Sequence, residues 1–251
     1  MARPVTLITG ASAGLGAEFA RQCARRGDEL ILVARRRERL EALAAEVGKG
    51  HVFAADLAAP GAAAKLIGDV EALGFEIETL INNAGFGLIG PFVDQPADRA
   101  LEMIDLNVRA LTELCRGVLP GMLERRRGFL LNVASTAAFQ AGPYSAVYYA
   151  TKAYVLSLSE ALHEEAKAGG VHVTALCPGP TATDFFEVAG SPDGRLARMA
   201  TDPKAVVRAG LEGLASNRAI VIPGRANRTG AFMSRLLPRA TMRRIVARLK
   251  A

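Results

Sequence analysis

Two side chains spaced four residues apart could exchange a proton with an alcohol. Tyr148 and Lys152 lie in the segment VYYATKAYVLSLSEAL, whose apolar spacing predicts a helix. Residues four apart share one face of a helix, so the phenol and the ammonium group should be neighbours. At about 4 Å and an effective dielectric constant of about 20, their attraction is worth roughly 4 kcal/mol, which would lower the tyrosine pKa toward about 7. Ser135 ends an apolar run earlier in the chain and could hydrogen-bond a carbonyl oxygen.

A second chemical signature is the glycine-rich stretch TGASAGLG, which follows the apolar run PVTLIT and precedes a helical pattern. The unpaired N–H groups and the positive dipole end at the start of a helix favour a bound pyrophosphate. Gly10 would make the tight turn, Gly14 would let the phosphates approach, and Gly16 would let the helix pack near the sheet. The spacing differs from the GxGxxG fingerprint, and a plain structural turn is the alternative.

The residues after the next two apolar runs distinguish between dinucleotides. Ala34 stands where an acidic residue would bind the ribose hydroxyls of NAD, and Arg35 and Arg36 follow it. A guanidinium can hold a 2′-phosphate through two parallel hydrogen bonds, so these residues predict NADP(H). The alternative is a solvated basic helix start. Asp56 could accept a hydrogen bond from the adenine amino group while Leu57 covers the ring, or Asp56 could cap the following helix.

Seven short apolar runs alternate with helix-length segments along the chain. They are PVTLIT, ELILVAR, HVFAADL, TLINNA, FLLNVAS, VHVTALC and AIVIP. This alternation predicts a three-layer, doubly wound fold of Rossmann type, in which helices flank a seven-stranded parallel sheet and the crossovers are right-handed. Ligands of such sheets bind beyond the carboxyl ends of the strands, where the residues above stand. We expect one domain over residues 1–224 and a basic helical extension over residues 225–251.

The composition of the 251 residues indicates a globular protein. Half of the residues are hydrophobic and 22% are charged, which argues against disorder. The three cysteines are scattered, so neither a disulfide framework nor a metal site is predicted. We see no basic leader followed by an apolar stretch, and no run approaches the roughly 18 apolar residues that cross a bilayer. A cytoplasmic protein without a transmembrane segment is therefore expected.

The net charge of +6 belongs to the end of the chain. Residues 225–251 contain eight basic residues and no acidic one, whereas the remainder has 23 basic and 25 acidic residues. A nucleic-acid partner is therefore not expected. The segment FMSRLLPRATMRRIVARLK is amphipathic and basic, and three roles remain open for it. It could lie on an anionic membrane surface, dock on a neighbouring subunit, or form a solvated face.

Taken in order, the motifs of the chain resemble those of the short-chain dehydrogenase/reductase family in its compact single-domain form. They are TGASAGLG, NNAG at residues 82–85, Asn107 in LNV, Ser135, Tyr148-x-x-x-Lys152 and Pro178-Gly179. The resemblance runs from about Val5 to Pro223. Each motif is common by itself, but the combination is highly specific.

The resemblance implies a catalytic role for four residues. Tyr148 would donate the proton in carbonyl reduction, and Ser135 would orient and polarise the carbonyl. Lys152 would lower the tyrosine pKa and hold the nicotinamide ribose. Asn107 would position a water that links Lys152 to solvent; a helix kink without catalytic duty is its alternative.

The cofactor NADP(H) would be held by residues from each strand end. The expected set is Gly10, Ser12, Ala13, Gly14, Leu15, Gly16, Arg35, Arg36, Asp56, Leu57, Asn83, Ala84, Gly85, Tyr148, Lys152, Pro178, Gly179, Thr181 and Thr183. Two of these depart from the family pattern. Thr181 stands where the family usually has Val or Ile, and Ala13 stands where many NADP-dependent members have a basic residue. The preference for NADP(H) therefore depends on Arg35 and its neighbour.

The segment near residues 184–201 contains Gly190, Pro192 and Gly194 among apolar residues, and we expect it to be a mobile substrate lid. Several apolar side chains could form a substrate pocket, although such residues are also routine in cores. They are Phe86, Leu88, Phe139, Tyr144, Phe185 and Phe186. A hydrophobic ketone or aldehyde is the expected substrate.

Two classes of function are consistent with these residues. The first is an NADP(H)-dependent oxidoreductase that interconverts a carbonyl compound and its alcohol, including the variant of a membrane-surface reductase of lipid-type ketones. The second is a catalytically silent NADP-binding sensor or scaffold. The joint presence of the four catalytic candidates favours the first. The resemblance also implies a homodimer or homotetramer, formed through the long helices that begin near Leu101 and Ser145.

Overall fold

The fold is an alternation of strands and helices in a computed structural model that describes residues 2–190 and 200–250. The strands are β1 Arg3–Thr9, β2 Leu30–Ala34, β3 Gly50–Ala54, β4 Phe75–Asn82, β5 Gly128–Val133, β6 Val171–Leu176 and β7 Ile220–Val221. The helices of the described residues are α1 Gly14–Arg25, α2 Arg37–Val47, α3 Ala62–Ala72, α4 Ala97–Ile104, α5 Leu111–Glu124, α6 Ala146–Lys167, α7 Phe185–Val188, α8 Pro203–Ala215, α9 Arg225–Leu236 and α10 Arg239–Lys250. Short 3₁₀ turns occupy Phe92–Asp94 and Thr136–Phe139.

The seven strands form one parallel sheet in the order β3-β2-β1-β4-β5-β6-β7. All seven predicted apolar runs are strands, so the predicted fold class is confirmed. The order reverses between β1 and β4, and both strands end at the same edge of the sheet. A crevice opens there, because the helices that follow the two strands lie on opposite faces.

Each face of the sheet carries its own apolar core. Helices α3, α5 and α6 pack with alternate strand residues such as Leu7 and Leu80 on one face. Helices α1, α2 and α8 pack with the intervening residues such as Ile8 and Ile81 on the other. Because successive side chains of a strand point to opposite faces, both sets must be apolar, and this produced the continuous runs in the sequence.

The long helix expected to begin near Leu101 is interrupted. Helices α4 and α5 are joined by a π-helical turn over Asp105–Ala110, which contains Asn107. Such turns insert one extra residue into a helix and often mark functional positions. The chain has no Pro or Gly in this turn, so the irregularity arises from what its side chains bind.

A chain of buried polar groups fixes α6 to the middle of the sheet. The side-chain nitrogen of Asn132 on β5 donates to Ser159 Oγ of α6 at 2.9 Å, and its oxygen accepts from Asn82 Nδ2 of β4 at 2.9 Å. Ser159 in turn donates to the Val155 carbonyl at 2.6 Å. All these side chains are buried, so each depends on its partners for hydrogen bonding.

The described parts of the chain contain no helix that is long and apolar enough to cross a membrane. Their three cysteines, Cys23, Cys115 and Cys177, are free and buried. Within residues 2–190 and 200–250 there is also no cluster of His, Cys, Asp or Glu side chains of the kind that holds a metal ion.

We predict that Asn132→Ala destabilises the protein by about 2 kcal/mol, because it removes one hydrogen-bond partner from each of the buried side chains of Asn82 and Ser159. Urea denaturation measures the loss. The control is Thr229→Ala, which removes an exposed hydroxyl that bonds only to the Arg225 carbonyl of its own helix. Equal stabilities of the two variants would show that the hydrogen bonds of Asn132 to Asn82 and Ser159 are not needed to hold α6.

Candidate active site

A cavity of about 560 Å³ lies at the carboxyl ends of the strands, in the crevice between β1 and β4. Of the predicted site residues, all except Gly16 and Asn107 line this cavity. The structure therefore brings together residues that are up to 173 positions apart in the chain, from Gly10 to Thr183. Gly16 and Asn107 lie directly behind its wall and support it.

The glycine turn between β1 and α1 has a backbone that few other residues could adopt. Gly10 and Gly14 have φ angles of +66° and +54°, in the left-handed region. A Cβ on Gly16 would lie 2.1 Å from the Gly10 carbonyl oxygen, so Gly16 lets α1 close onto the turn itself. A Cβ on Gly14 would meet the Thr183 side chain at 3.1 Å. Gly14 thus permits close approach of Thr183, which the sequence did not indicate.

Asn83 holds the glycine turn from the neighbouring strand. Its side-chain nitrogen donates to the carbonyl oxygens of Thr9 at 2.9 Å and Gly10 at 3.3 Å. The amides of Asn83 and Ala84 donate to the Thr9 hydroxyl at 3.0 and 2.9 Å. The carboxamide nitrogen of Asn83 is therefore committed to shaping the turn. Sequence reasoning did not include Thr9, although a hydroxyl at the end of β1 was a visible signal.

The two arginines after β2 stand at one end of the cavity. The Arg35 guanidinium is largely exposed and pairs with Glu102 of α4 at 3.0 Å, while Glu102 also pairs with Arg99. Arg36 precedes α2 and donates to Ser12 Oγ in the glycine turn at 3.3 Å. A shared carboxylate therefore holds Arg35 at the cavity rim, and no acidic side chain follows β2 directly.

Asp56 and Leu57 line the cavity after β3. The Asp56 carboxylate accepts from the Ala58 amide at 3.0 Å in a local turn, whereas α3 starts later, after Gly61. Asp56 therefore does not cap that helix, which removes one of the two roles considered for it. Leu57 is buried against the core of the same face.

Tyr148 and Ser135 meet on the other side of the cavity. Both side chains line it, and hydrogen bonding by the Ser135 hydroxyl favours the ionised phenol, which acts to lower the pKa of Tyr148. The same hydroxyl donates to the Pro178 carbonyl at 3.4 Å. Ser135 Oγ also accepts from the Ala137 amide at 3.1 Å, which caps the 3₁₀ turn and fixes the hydroxyl. The Tyr148 ring packs against Phe185 of α7 with centroids 5.3 Å apart. Gly87 makes this possible, because a Cβ there would lie 2.8 Å from Phe185 and 3.1 Å from Tyr148.

Lys152 lies one turn of α6 after Tyr148 and is buried, with Nζ 5.9 Å from the centroid of the Tyr148 ring. The ammonium group donates to the Val133 carbonyl at the end of β5 at 2.7 Å. Burial lowers the lysine pKa to about 8. The lysine therefore sits close to the boundary between its charged and neutral forms at neutral pH.

The structure contradicts the predicted tyrosine pKa near 7. Burial raises the pKa of Tyr148 to about 12, and the hydrogen bond from Ser135 only partly opposes this. The cost of desolvating a phenolate exceeds the stabilisation that hydrogen bonding by Ser135 gives it. Tyr148 consequently carries its proton at neutral pH.

Asn107 is buried behind the cavity in the π-helical turn. Its side-chain oxygen accepts from the Phe86 amide at 3.1 Å, and its nitrogen donates to the Phe86 carbonyl at 2.9 Å and to Thr151 Oγ1 at 3.1 Å. A Cβ on Gly85 would lie 2.8 Å from the Asn107 oxygen and 3.5 Å from Lys152 Nζ. The carboxamide therefore fixes the loop after β4 beside the lysine, which also accounts for the interruption of the helix.

The segment after β6 closes the cavity. The Thr181 hydroxyl donates to the Gly179 carbonyl at 3.0 Å, so this polar side chain has a partner, and Thr181 forms a parallel backbone bridge with Thr201. The Ile89 amide donates to the Ala189 carbonyl at 3.0 Å, so α7 is tied to the loop after β4. Part of the predicted lid over 184–201, including Pro192 and Gly194, lies outside the described residues.

Some of the residues predicted for an apolar pocket line the cavity and others do not. Phe86, Leu88 and Phe185 line the cavity. Phe139 packs on the core, and Tyr144 is partly exposed beside α6. The side chain of Phe186 lies outside the described residues. Val246 of α10 also lines the cavity, and sequence reasoning missed it because an amphipathic pattern does not indicate which surface its apolar face covers.

Residues 4–193 match the family model described as short chain dehydrogenase. The chain is 34% identical over 193 residues to a very-long-chain 3-oxoacyl-CoA reductase of Anas platyrhynchos, covering 72% of this chain and 61% of that relative. It therefore spans about three fifths of the length of this curated relative.

Two solved structures are similar over nearly their whole length. A short-chain dehydrogenase from Sphingobium yanoikuyae in complex with NADPH has a TM-score of 0.83 and 35% identity, with 93% of each chain covered. The bulky-bulky ketone specific alcohol dehydrogenase from Comamonas testosteroni has a TM-score of 0.78 and 31% identity, covering 94% of this chain and 93% of that one.

Burial of Lys152 predicts a specific pH dependence of stability. Its folded pKa of about 8 lies below the ordinary 10.5, so the unfolded chain binds more protons between these values. The penalty for burying the ammonium is thus full below pH 8 and is relieved as pH rises to 10.5. We expect the stability of wild type relative to Lys152→Met to rise by about 2 kcal/mol between pH 7.5 and pH 9.5, measured by urea denaturation.

The matched control for this measurement is Lys167→Met, which removes an exposed lysine at the end of the same helix. Its stability relative to wild type should be the same at both pH values. A Lys152→Met difference that is also independent of pH would show that the ammonium group does not pay a burial penalty in the folded protein.

Proposed function

The chain belongs to the short-chain dehydrogenase/reductase family, and on this premise we propose that it interconverts a hydrophobic ketone or aldehyde and its alcohol with NADP(H). The observation that carries the proposal is the placement of Ser135, Tyr148 and the buried Lys152 together at one end of a cavity whose other end carries Arg35. Such a site combines a proton donor, a fixed carbonyl partner and an anion-binding rim.

The residues present fit a dinucleotide with a 2′-phosphate. Helix α1 has no acidic residue in its first turn and no side chain capping it, so its amino terminus is available to a pyrophosphate. Arg35, with support from Arg36, would hold the 2′-phosphate, while Ala34 leaves no carboxylate to repel it. When bound, NADPH supplies the hydride for the carbonyl carbon. The NADPH complex of the Sphingobium yanoikuyae relative supports this assignment.

The proton would come from Tyr148. Burial holds the phenol in its protonated form, which is the form that a carbonyl oxygen needs as it gains negative charge. Ser135, fixed by the Ala137 amide, would donate a hydrogen bond to the same oxygen. Lys152 is close enough to the phenol to stabilise the phenolate left behind, and would also hold the nicotinamide ribose.

Asn107 would act in a different way from the other three residues. Its carboxamide is occupied by the Phe86 backbone and Thr151, so the side chain supports the loop beside Lys152. Any water that returns a proton to the lysine would therefore have to bind another group near this turn. We keep Asn107 as a positioning residue on this basis.

The substrate is proposed to be hydrophobic because Phe86, Leu88 and Phe185 line the cavity around Tyr148. The similarity to an alcohol dehydrogenase specific for bulky-bulky ketones favours the same class. Apolar walls exclude water and strengthen hydrogen bonds to the developing oxyanion. The alternative of a silent NADP-binding sensor or scaffold would need this cavity to bind nucleotide without turnover.

Self-association is proposed through the outer surface of α4, α5 and α6. Leu101, Ile104 and Tyr154 are large exposed side chains on this surface, and Tyr154 hydrogen-bonds to Thr112 of α5 at 2.9 Å. A homodimer or homotetramer would cover them. A cytoplasmic location also remains a prediction.

Tyr148→Phe should reduce NADPH-dependent carbonyl reduction at least about 100-fold, because it removes the general acid and little else. The assay follows NADPH absorbance with a panel of aromatic and aliphatic ketones. Tyr154→Phe is the control, since it removes a surface hydroxyl of the same helix, and it should keep wild-type activity. Undiminished activity of Tyr148→Phe would exclude this tyrosine as the proton donor, and bound NADPH without turnover by wild type would favour the silent alternative.

Arg35→Asp should lower the ratio of kcat/KM for NADPH over NADH by about 10- to 100-fold, the range expected for losing hydrogen bonds to a charged group. Arg37→Asp makes the same change of charge at an arginine that pairs with Glu41 and does not line the cavity. This control should leave the ratio within about threefold of wild type. The same shift in both variants would indicate a general field effect in place of a phosphate contact at Arg35.

A further inference from the structure

Val246 is buried on a helix whose neighbouring side chains are exposed. Its side chain is 6% exposed, whereas the adjacent Ile245 is 40% exposed and Arg243 and Arg244 are exposed as well. Val246 lines the same cavity as Tyr148. Helix α10 thus turns Val246 toward the site and Arg243, Arg244 and Ile245 toward solvent. The cavity of this chain therefore covers Val246, a placement that was not among the three roles considered for the tail.

The preceding helix lies on the Ser135 side of the cavity. Helix α9 packs against the 3₁₀ turn over Thr136–Phe139, which directly follows Ser135. Its Asn227 amide occupies the space beside Gly179, where a Cβ would lie 2.4 Å from the Asn227 oxygen, and it is held by a 2.7 Å hydrogen bond to the Pro223 carbonyl. Helix α9 is therefore anchored beside Ser135 and Gly179, and α10 follows it in the chain.

A side chain in this position can act through its volume. Val246 has no polar atom and so takes no part in proton transfer or in binding a phosphate. An apolar wall discriminates between substrates by the space that it leaves, and one methylene group in such a pocket changes kcat/KM by about 10- to 200-fold. Because protein interiors are close-packed, the side chains around the cavity cannot easily move aside for a larger substituent of the substrate.

We propose that Val246 is a specificity-determining residue, which limits the size of the substituent that the cavity accepts beside the reacting carbonyl. This inference rests on the proposed carbonyl reductase function and adds the end of the chain to the substrate site. The family model does not reach this position, since it matches residues 4–193.

The test compares Val246→Ala and Val246→Phe with Ile245→Ala and Ile245→Phe, which make the same changes at the exposed neighbour. The substrates are phenyl ketones in which one substituent grows from methyl to butyl and then to phenyl. We expect Val246→Ala to raise the ratio of kcat/KM for the largest over the smallest ketone at least tenfold, and Val246→Phe to lower it. The Ile245 variants should stay within about twofold of wild type, and KM for NADPH should not change in any variant.

A ratio that moves equally little in the Val246 and Ile245 variants of an active enzyme would overturn the inference and leave the proposed function intact. A wild-type protein that reduces none of the ketones would instead count against the proposed function. The burial of position 246 is measured independently by the rate at which a thiol reagent modifies Val246→Cys and Ile245→Cys. The three native cysteines are buried, so the introduced thiols dominate the reaction. We expect modification of Val246→Cys to be at least tenfold slower; equal rates would overturn the inference.

Discussion

The position of α6 against the carboxyl end of β5 is the constraint on which the site depends. Two hydrogen bonds set it: Lys152 Nζ to the Val133 carbonyl, and Asn132 to Ser159 two turns farther along the helix. Because both are buried, sliding α6 by even one residue would leave unpaired polar groups in the core. The phenol of Tyr148 is carried on the same rigid helix, and its distance from Ser135 therefore follows from the packing of the sheet.

Burial has opposite effects on the two titratable groups of this helix. It raises the pKa of Tyr148 and lowers that of Lys152, so each group is moved toward its neutral form. A neutral, protonated phenol suits the donation of a proton to a carbonyl oxygen. The reverse reaction, in which an alcohol loses its proton, would need the positive charge of the oxidised nicotinamide to offset the same desolvation.

Much of the fold was predictable because each strand is covered on both faces and so reads as a continuous apolar run. The cavity residues were predictable for a related reason: parallel strands deliver whatever follows them to one edge, as with Gly10, Arg35 and Ser135. Three features were not. The tyrosine pKa depends on burial, which spacing does not reveal; the carboxamide of Asn107 binds a backbone segment far away in the chain; and the apolar face of α10 has many possible surfaces to cover. Each is a tertiary property, fixed only when distant segments meet.

The contact among Gly87, Phe185 and Tyr148 has a consequence for how this scaffold can diversify. Any side chain at Gly87 would collide with the aromatic ring of α7 and with the phenol together, so a random substitution there alters enclosure and chemistry at once. A substitution at Val246, which lines the cavity from an outer helix, changes the size of the cavity without touching Tyr148 or Phe185 in this way. We therefore expect changes of substrate among descendants of this protein to arise at the edge of the cavity, while Gly87 and its contacts with Phe185 and Tyr148 stay unchanged.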